Sequence, residues 1–134
     1  MKKHGVLNSH LSRVIAGLGH SDYLVVCDAG LPIPHGGEVV DLALTRNIPR
    51  FLDVVNAILE EMQVERAVIA EEMEDVNRST HNELLRMLAG TEISKVAHEE
   101  FKRLTRENGN TTFVRTGEVT AFANVILVSG VNFD

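Results

Sequence analysis

Apolar and polar positions alternate along the chain with two different periods. Leu11, Val14, Ile15 and Leu18 recur at helical spacing, with Asn8 or Ser9 placed to cap the start and Gly19 to stop the end. Tyr23-Leu24-Val25-Val26-Cys27 is a continuous apolar run, the signature of a strand covered on both faces. It breaks at Asp28-Ala29-Gly30 into a stretch of turn formers, Pro32, Pro34, Gly36 and Gly37. Val39 to Leu44 predicts a second strand. Pro49 then opens a helix with Val54, Val55, Ile58, Leu59 and Met62 on one face. Ala67 to Ala70 predicts a strand, and Leu84, Leu85 and Leu88 a helix face ending near Gly90. Ile93 to Ala97 predicts a strand, His98 to Arg106 a short polar helix, Thr111 to Arg115 a strand and Val125 to Val128 a last, buried one. Strands alternating with helices define the α/β class. The expectation is one domain over residues 1–134, a three-layer α/β/α sandwich around a mixed, mainly parallel sheet, since the adjacent strands near the C-terminus favour a mixed one.

Composition narrows the function classes. The chain has 134 residues, 44% hydrophobic and 24% charged, which suits a single globular domain rather than a disordered one. Its formal net charge of -6 opposes phosphate backbones and anionic lipid, so neither nucleic acid nor a membrane surface is an expected partner. No run approaches the ~20 apolar residues that span a bilayer. The start, Met1-Lys2-Lys3-His4-Gly5, lacks the apolar stretch of an export signal. Cys27 is the one cysteine and has no internal partner for a disulfide. A soluble, cytoplasmic protein is expected.

Few side chains stand in arrangements that carry chemistry. His4, His10, His20, His35, His81 and His98 are scattered, without the spacing of a metal site, and Gly17-Leu18-Gly19 lies at a helix end rather than between a strand and a helix, so neither a metal nor a nucleotide cofactor is expected. The acidic cluster Glu71-Glu72-Met73-Glu74-Asp75 reads as a solvated loop or helix start, lacking the alternating ligands of a calcium loop. Cys27 reads as a core residue. Asp28 closes a buried strand, where ligands collect in open α/β sheets; it either accepts bonds from a ligand's hydroxyls or caps the following turn. His98 opens a helix with Lys102 on the same face four residues on, a pair that either grips a polar ligand or stands solvated. His20, just past a helix end, is either an exposed dipole partner or a proton donor working near neutrality.

As an ordered set, several segments resemble the D-ribose pyranase family, whose close relatives are the L-fucose mutarotases. They are Lys2-Lys3-His4-Gly5-Val6-Leu7-Asn8, Gly19-His20-Ser21-Asp22, Asp28-Ala29-Gly30-Leu31-Pro32-Ile33-Pro34, Asp41-Leu42-Ala43-Leu44, Pro49-Arg50-Phe51, His98-Glu99-Glu100-Phe101-Lys102 and Arg115-Thr116-Gly117-Glu118. The resemblance implies an isomerase that interconverts the β-pyranose and β-furanose forms of D-ribose without a cofactor, assembled as a homodecamer. It implies His20 as the proton donor and Asp28, His98, Phe122, Ala123 and Asn124 as sugar contacts, with Lys102 as an extra one. The sequence departs from the family at Thr120-Ala121-Phe122-Ala123-Asn124, where Ala121 and Phe122 stand in place of the usual proline and tyrosine. The lost phenolic bond should cost about 0.5–1.5 kcal/mol. A mutarotase acting on fucose or another monosaccharide, and a non-catalytic sugar-binding module, are the competing readings.

The implied chemistry suits these residue types. Opening a hemiacetal needs a proton delivered to the ring oxygen and one removed from the anomeric hydroxyl, and a general acid supplies ~10²–10⁴-fold. Position 20 precedes the first strand and position 28 follows it; extended chain at ~3.3 Å per residue separates them by roughly 26 Å. Both groups then reach one sugar if the pocket is completed by a second subunit, or if the strand is shorter and the chain folds back over it.

Overall fold

The computed structural model describes residues 1–133. In chain order the elements are α1 (Ser9–Gly17), β1 (Tyr23–Cys27), β2 (Glu38–Asp41), α2 (Phe51–Leu59), β3 (Val64–Ala70), α3 (Glu72–Val76), α4 (Arg78–Met87), β4 (Glu92–Val96), α5 (His98–Glu107), β5 (Thr111–Arg115) and β6 (Val125–Ser129). The six strands form one sheet in the order β2-β5-β1-β6-β3-β4. β6 runs antiparallel to both its neighbours, β1 and β3, whereas the other pairings are parallel. The mixed, mainly parallel sheet expected from the pattern is thus present, with β6 as its single reversed strand.

Alternation within β1 builds the two outer layers. Leu24 and Val26 face Leu11 and Val14 of α1, Val54, Val55 and Ile58 of α2 and Leu84 of α4. Val25 and Cys27 face the opposite way, toward Phe101 of α5 and Phe113 of β5. Residues Leu24 to Cys27 are fully buried, which is why the run is apolar at every position instead of every second one. Each such valine or leucine contributes roughly 1.5–3 kcal/mol relative to an exposed position. The Cys27 thiol, its pKa pushed up to about 12 by burial and then by the neighbouring Asp28 charge, is an inert part of this core.

Four local expectations are corrected. β2 ends at Asp41, not Leu44, because the Asp41 Oδ1 accepts the Ala43 N–H (3.0 Å) and bends the chain out of the sheet, leaving Leu44 exposed. Pro49 stands outside α2 rather than in its first turn: the Pro49 carbonyl accepts the Gly117 N–H, and the helix begins at Phe51, whose N–H donates to the buried Glu118 carboxylate (3.1 Å). Met62 lies beyond the helix but still in the core. The acidic cluster, read as a loop or a helix start, is the latter: it opens α3, pinned by the buried Met73. At the end of α1 the cap is Leu18 in extended conformation, so Gly19 is not the stop.

Gly117 is where the loop after β5 meets the turn between β2 and α2. Its N–H donates to the Pro49 carbonyl, its own carbonyl accepts the Asn47 N–H, and a Cβ there would collide with the carbonyl oxygens of Thr45 and Ile48. Because the obstacles are backbone, Gly117→Ala should destabilise the fold by about 1–3 kcal/mol, read as a lower denaturant midpoint at unchanged slope.

Candidate active site at the strand ends

The reversal of β6 brings its first residue to the edge where β1, β3, β4 and β5 finish. Val26 pairs with Val125, so Asn124 stands beside the residue that follows β1. The Asp28 N–H donates to the Asn124 Oδ1 at 2.8 Å, joining segments 96 positions apart. The Asp28 carboxylate meanwhile accepts the Gly30 N–H at 3.0 Å, the turn-capping role foreseen as one alternative. Burial pushes this carboxyl above the ordinary carboxylate range, and the bonds from the Gly30 and Leu31 N–H groups and the nearby His98 imidazole only partly offset that.

His98 opens α5 at the end of β4. Its N–H donates to both carboxylate oxygens of Glu72 (3.0 and 3.1 Å), so a residue of the acidic cluster anchors the helix start. The imidazole lies flat over Phe101, ring centres 6.2 Å apart, and takes the edge of Phe122 at 5.0 Å with planes 77° apart. Phe122 itself sits at φ +62°, a left-handed backbone, and Ala123 beneath it is fully buried. Lys102, one turn along α5, is engaged by Glu99 Oε1 at 2.8 Å.

Two polar atoms here are buried without a partner among the described residues, His98 Nδ1 and Asn124 Nδ2. Buried polar atoms are nearly always bonded, and one left alone costs about 1–3 kcal/mol, so a pair of them beside a carboxylate marks a place built for a polar ligand. A groove of about 410 Å³ opens on the Asp28 side of this edge, bounded by Asp28, Gly30, Glu118, Thr120 and Ala121. That volume is within the range of small-molecule sites.

Of the candidate residues, Asp28, His98, Phe122, Ala123 and Asn124 converge at this edge, with Lys102 alongside. His20 does not join them. It is exposed in the turn between α1 and β1, at the opposite edge of the sheet, with Nε2 2.9 Å from Glu65 Oε2. The turn, with Ser21 at φ +73°, makes the path less than fully extended. Even so, the four steps of β1 alone put ~13 Å between its ends. A separate groove of about 310 Å³ adjoins His20, lined by Gly19, Glu61, Gln63, Ser129 and Phe133.

Sequence reasoning missed three contributors. Glu72 was hidden in a run of acidic residues, where nothing separates the one anchoring side chain from its solvated neighbours. Asn77, at the junction of α3 and α4, donates to Thr120 Oγ1 and to the Ala121 carbonyl, and no local signal announces it. Glu118 closes the Arg115-Thr116-Gly117-Glu118 motif, and its buried carboxylate is not marked by any local pattern.

The model of the RbsD / FucU transport protein family matches residues 1–132 of the chain. A D-ribose pyranase from Coprothermobacter proteolyticus is 52% identical over 133 residues, 99% of this chain and 100% of the relative. The structure of Bacillus subtilis RbsD complexed with D-ribose superposes with a TM-score of 0.93 at 44% identity, covering 99% of this chain and 100% of that one. A fucose mutarotase from Streptococcus pneumoniae, in complex with L-fucose, shares the fold with a TM-score of 0.75 at 22% identity over 98% and 100% of the two chains.

The Asp28 carboxyl binds its proton more tightly folded than unfolded, so it contributes stability at low pH that is lost as pH rises through its folded pKa. Asp28→Asn should therefore unfold at a higher denaturant midpoint than the parent at pH 7. The two proteins should converge as pH falls through the carboxylate range, and a gap that widened on acidification would contradict the burial account.

Proposed function

The chain belongs to the RbsD / FucU transport protein family, and we propose that within it this protein is a D-ribose pyranase, interconverting the β-pyranose and β-furanose forms of the sugar by opening and reclosing the ring. The observation that carries the assignment of the site is the pair of buried, unpartnered atoms, His98 Nδ1 and Asn124 Nδ2, next to Asp28. A monosaccharide supplies what this edge lacks, several hydroxyls that each donate and accept. The Asn124 amide, its oxygen already committed to Asp28, offers Nδ2–H to a sugar oxygen. The imidazole meets a hydroxyl through Nδ1, and Phe122 presents an apolar surface to the sugar's C–H face. Asp28 accepts from the anomeric hydroxyl and holds the proton that leaves as the ring opens. Ala121 and Phe122 in this loop, at positions usually proline and tyrosine in the family, leave the sugar without a phenolic partner, which tunes affinity rather than chemistry.

His20 is the general acid of this reading, giving its proton to the ring oxygen. Glu65 engages Nε2 and so orients the ring, leaving Nδ1 as the other nitrogen to meet a sugar. Because His20 and Asp28 lie at opposite edges of one sheet, the working pocket takes Asp28, His98, Phe122 and Asn124 from one subunit and His20 from a neighbour. A head-to-tail contact of this kind repeats around a ring, in keeping with a homodecamer. Among the described residues no helix is long and apolar enough to cross a membrane. The free, buried Cys27, with no partner for a disulfide, favours a reducing, cytoplasmic compartment.

His20→Ala should lose about 10²–10⁴-fold in pyranose–furanose exchange by NMR while still binding ribose in saturation-transfer spectra. Mixing inactive His20→Ala and Asp28→Asn proteins and allowing subunits to exchange should restore activity in about a quarter of the sites, those formed by one intact side from each parent. A fully active monomer, established by sedimentation and assay at one concentration, would refute the shared pocket.

A further inference from the structure

Asn77 occupies the N-cap position of α4 yet makes no capping bond with its side chain. An asparagine there ordinarily turns its oxygen back onto the N–H groups of the first turn. This one instead points its amide at a loop more than forty residues away, donating from Nδ2 to Thr120 Oγ1 at 2.8 Å and to the Ala121 carbonyl at 3.1 Å. Thr120 Oγ1 in turn donates to Glu118 Oε2 at 3.0 Å. Glu118, buried with 4% of its surface exposed, holds the Phe51 N–H with its other oxygen and the Ala29 N–H with its carbonyl (2.8 Å). Residues 118–121 are thereby tied to the starts of α4 and α2 and to the turn carrying Asp28.

The next residue is Phe122, whose left-handed backbone is disfavoured for any side chain with a Cβ and persists only where its surroundings impose it. That backbone is what sets the Phe122 ring edge-on against His98. We propose that Asn77 is a positioning residue for the sugar site, forgoing its helix cap to hold the 120–121 segment so that Phe122 keeps its conformation and its contact with His98. The inference rests on the sugar-site reading above for its effect on catalysis, though not for its effect on the loop.

Asn77→Asp separates this role from a structural one. Aspartate is as good an N-cap as asparagine and suits the positive end of α4, which offsets its place at the negative end of α3, so folding stability should stay close to the parent's. It cannot donate the two bonds, however. The ribose KM should rise about tenfold, the scale expected for losing them, with a smaller change in kcat. In the ligand-free protein, the His98 imidazole cross-peak should move toward its position in Phe122→Ala as the aromatic edge departs. Thr120→Val, which removes one of the two bonds without touching the cap, should move the cross-peak and KM in the same direction by less, and it stands in if the aspartate variant fails to fold. An unmoved cross-peak and KM in folded Asn77→Asp would overturn the proposal, as would a rise in KM only in proportion to lost stability. A parent protein with no ribose exchange would defeat the sugar reading alone, since the His98 cross-peak still decides whether Asn77 holds the loop.

Discussion

A single hydrogen bond, from the Asp28 N–H to the Asn124 amide oxygen, joins the end of β1 to the start of β6 and makes the strand-end edge a site. It exists because β6 runs against its neighbours. Were β6 parallel to β1, its first residue would lie at the far edge with His20, and Asp28 would face the C-terminal end of the strand instead. The antiparallel register sets Val125 opposite Val26 and leaves Asn124 no path but across the Asp28 backbone. The amide oxygen is consumed there, and its nitrogen is left buried and unbonded beside a carboxylate that burial already strains toward protonation.

Around that bond the molecule spends polar groups on holding rather than on exposed ion pairs. Glu72 takes the first N–H of α5, Glu118 the first N–H of α2, and Asn77 the loop that leads into β6. The surface pairs, such as Arg13 with Glu38 and Lys95 with Glu74, contribute little to stability by comparison, being screened and entropically costly to order. The result is an edge in which two atoms, His98 Nδ1 and Asn124 Nδ2, are left without partners among the described residues. A site for a small polyhydroxylated molecule is an arrangement of this kind, unsatisfied until its ligand arrives.

Much of the framework was legible in the sequence because its causes are local. The apolar run at 23–27 could only be a doubly covered strand, the 3.6-residue spacing of Leu11, Val14 and Ile15 only a helix, and Asn8 supplies the expected cap through Oδ1 to the Leu11 N–H. The misreadings have causes that patterns do not carry, one local and one distant. Apolar Leu42 and Leu44 looked like strand, but an aspartate turn at 41 overrides propensity; Pro49 looked like a helix opener, but the carboxylate that starts α2 comes from residue 118. The ordered family motifs supplied what patterning could not, and the close relatives and the ribose-bound neighbour bear out that resemblance.

The sequence by itself determined the α/β class, the elements' places, the buried thiol and the candidate residues Asp28, His98, Phe122 and Asn124, since each follows from short-range periodicity or from ordered motifs. Only the tertiary structure decided which of those side chains meet. Strand direction is chosen by how two apolar faces are covered at once, and no residue in β6 encodes it alone. That choice put Asn124 against Asp28, left His20 at the other edge, and gave Asn77 and Glu118 their work on a loop far away in the chain.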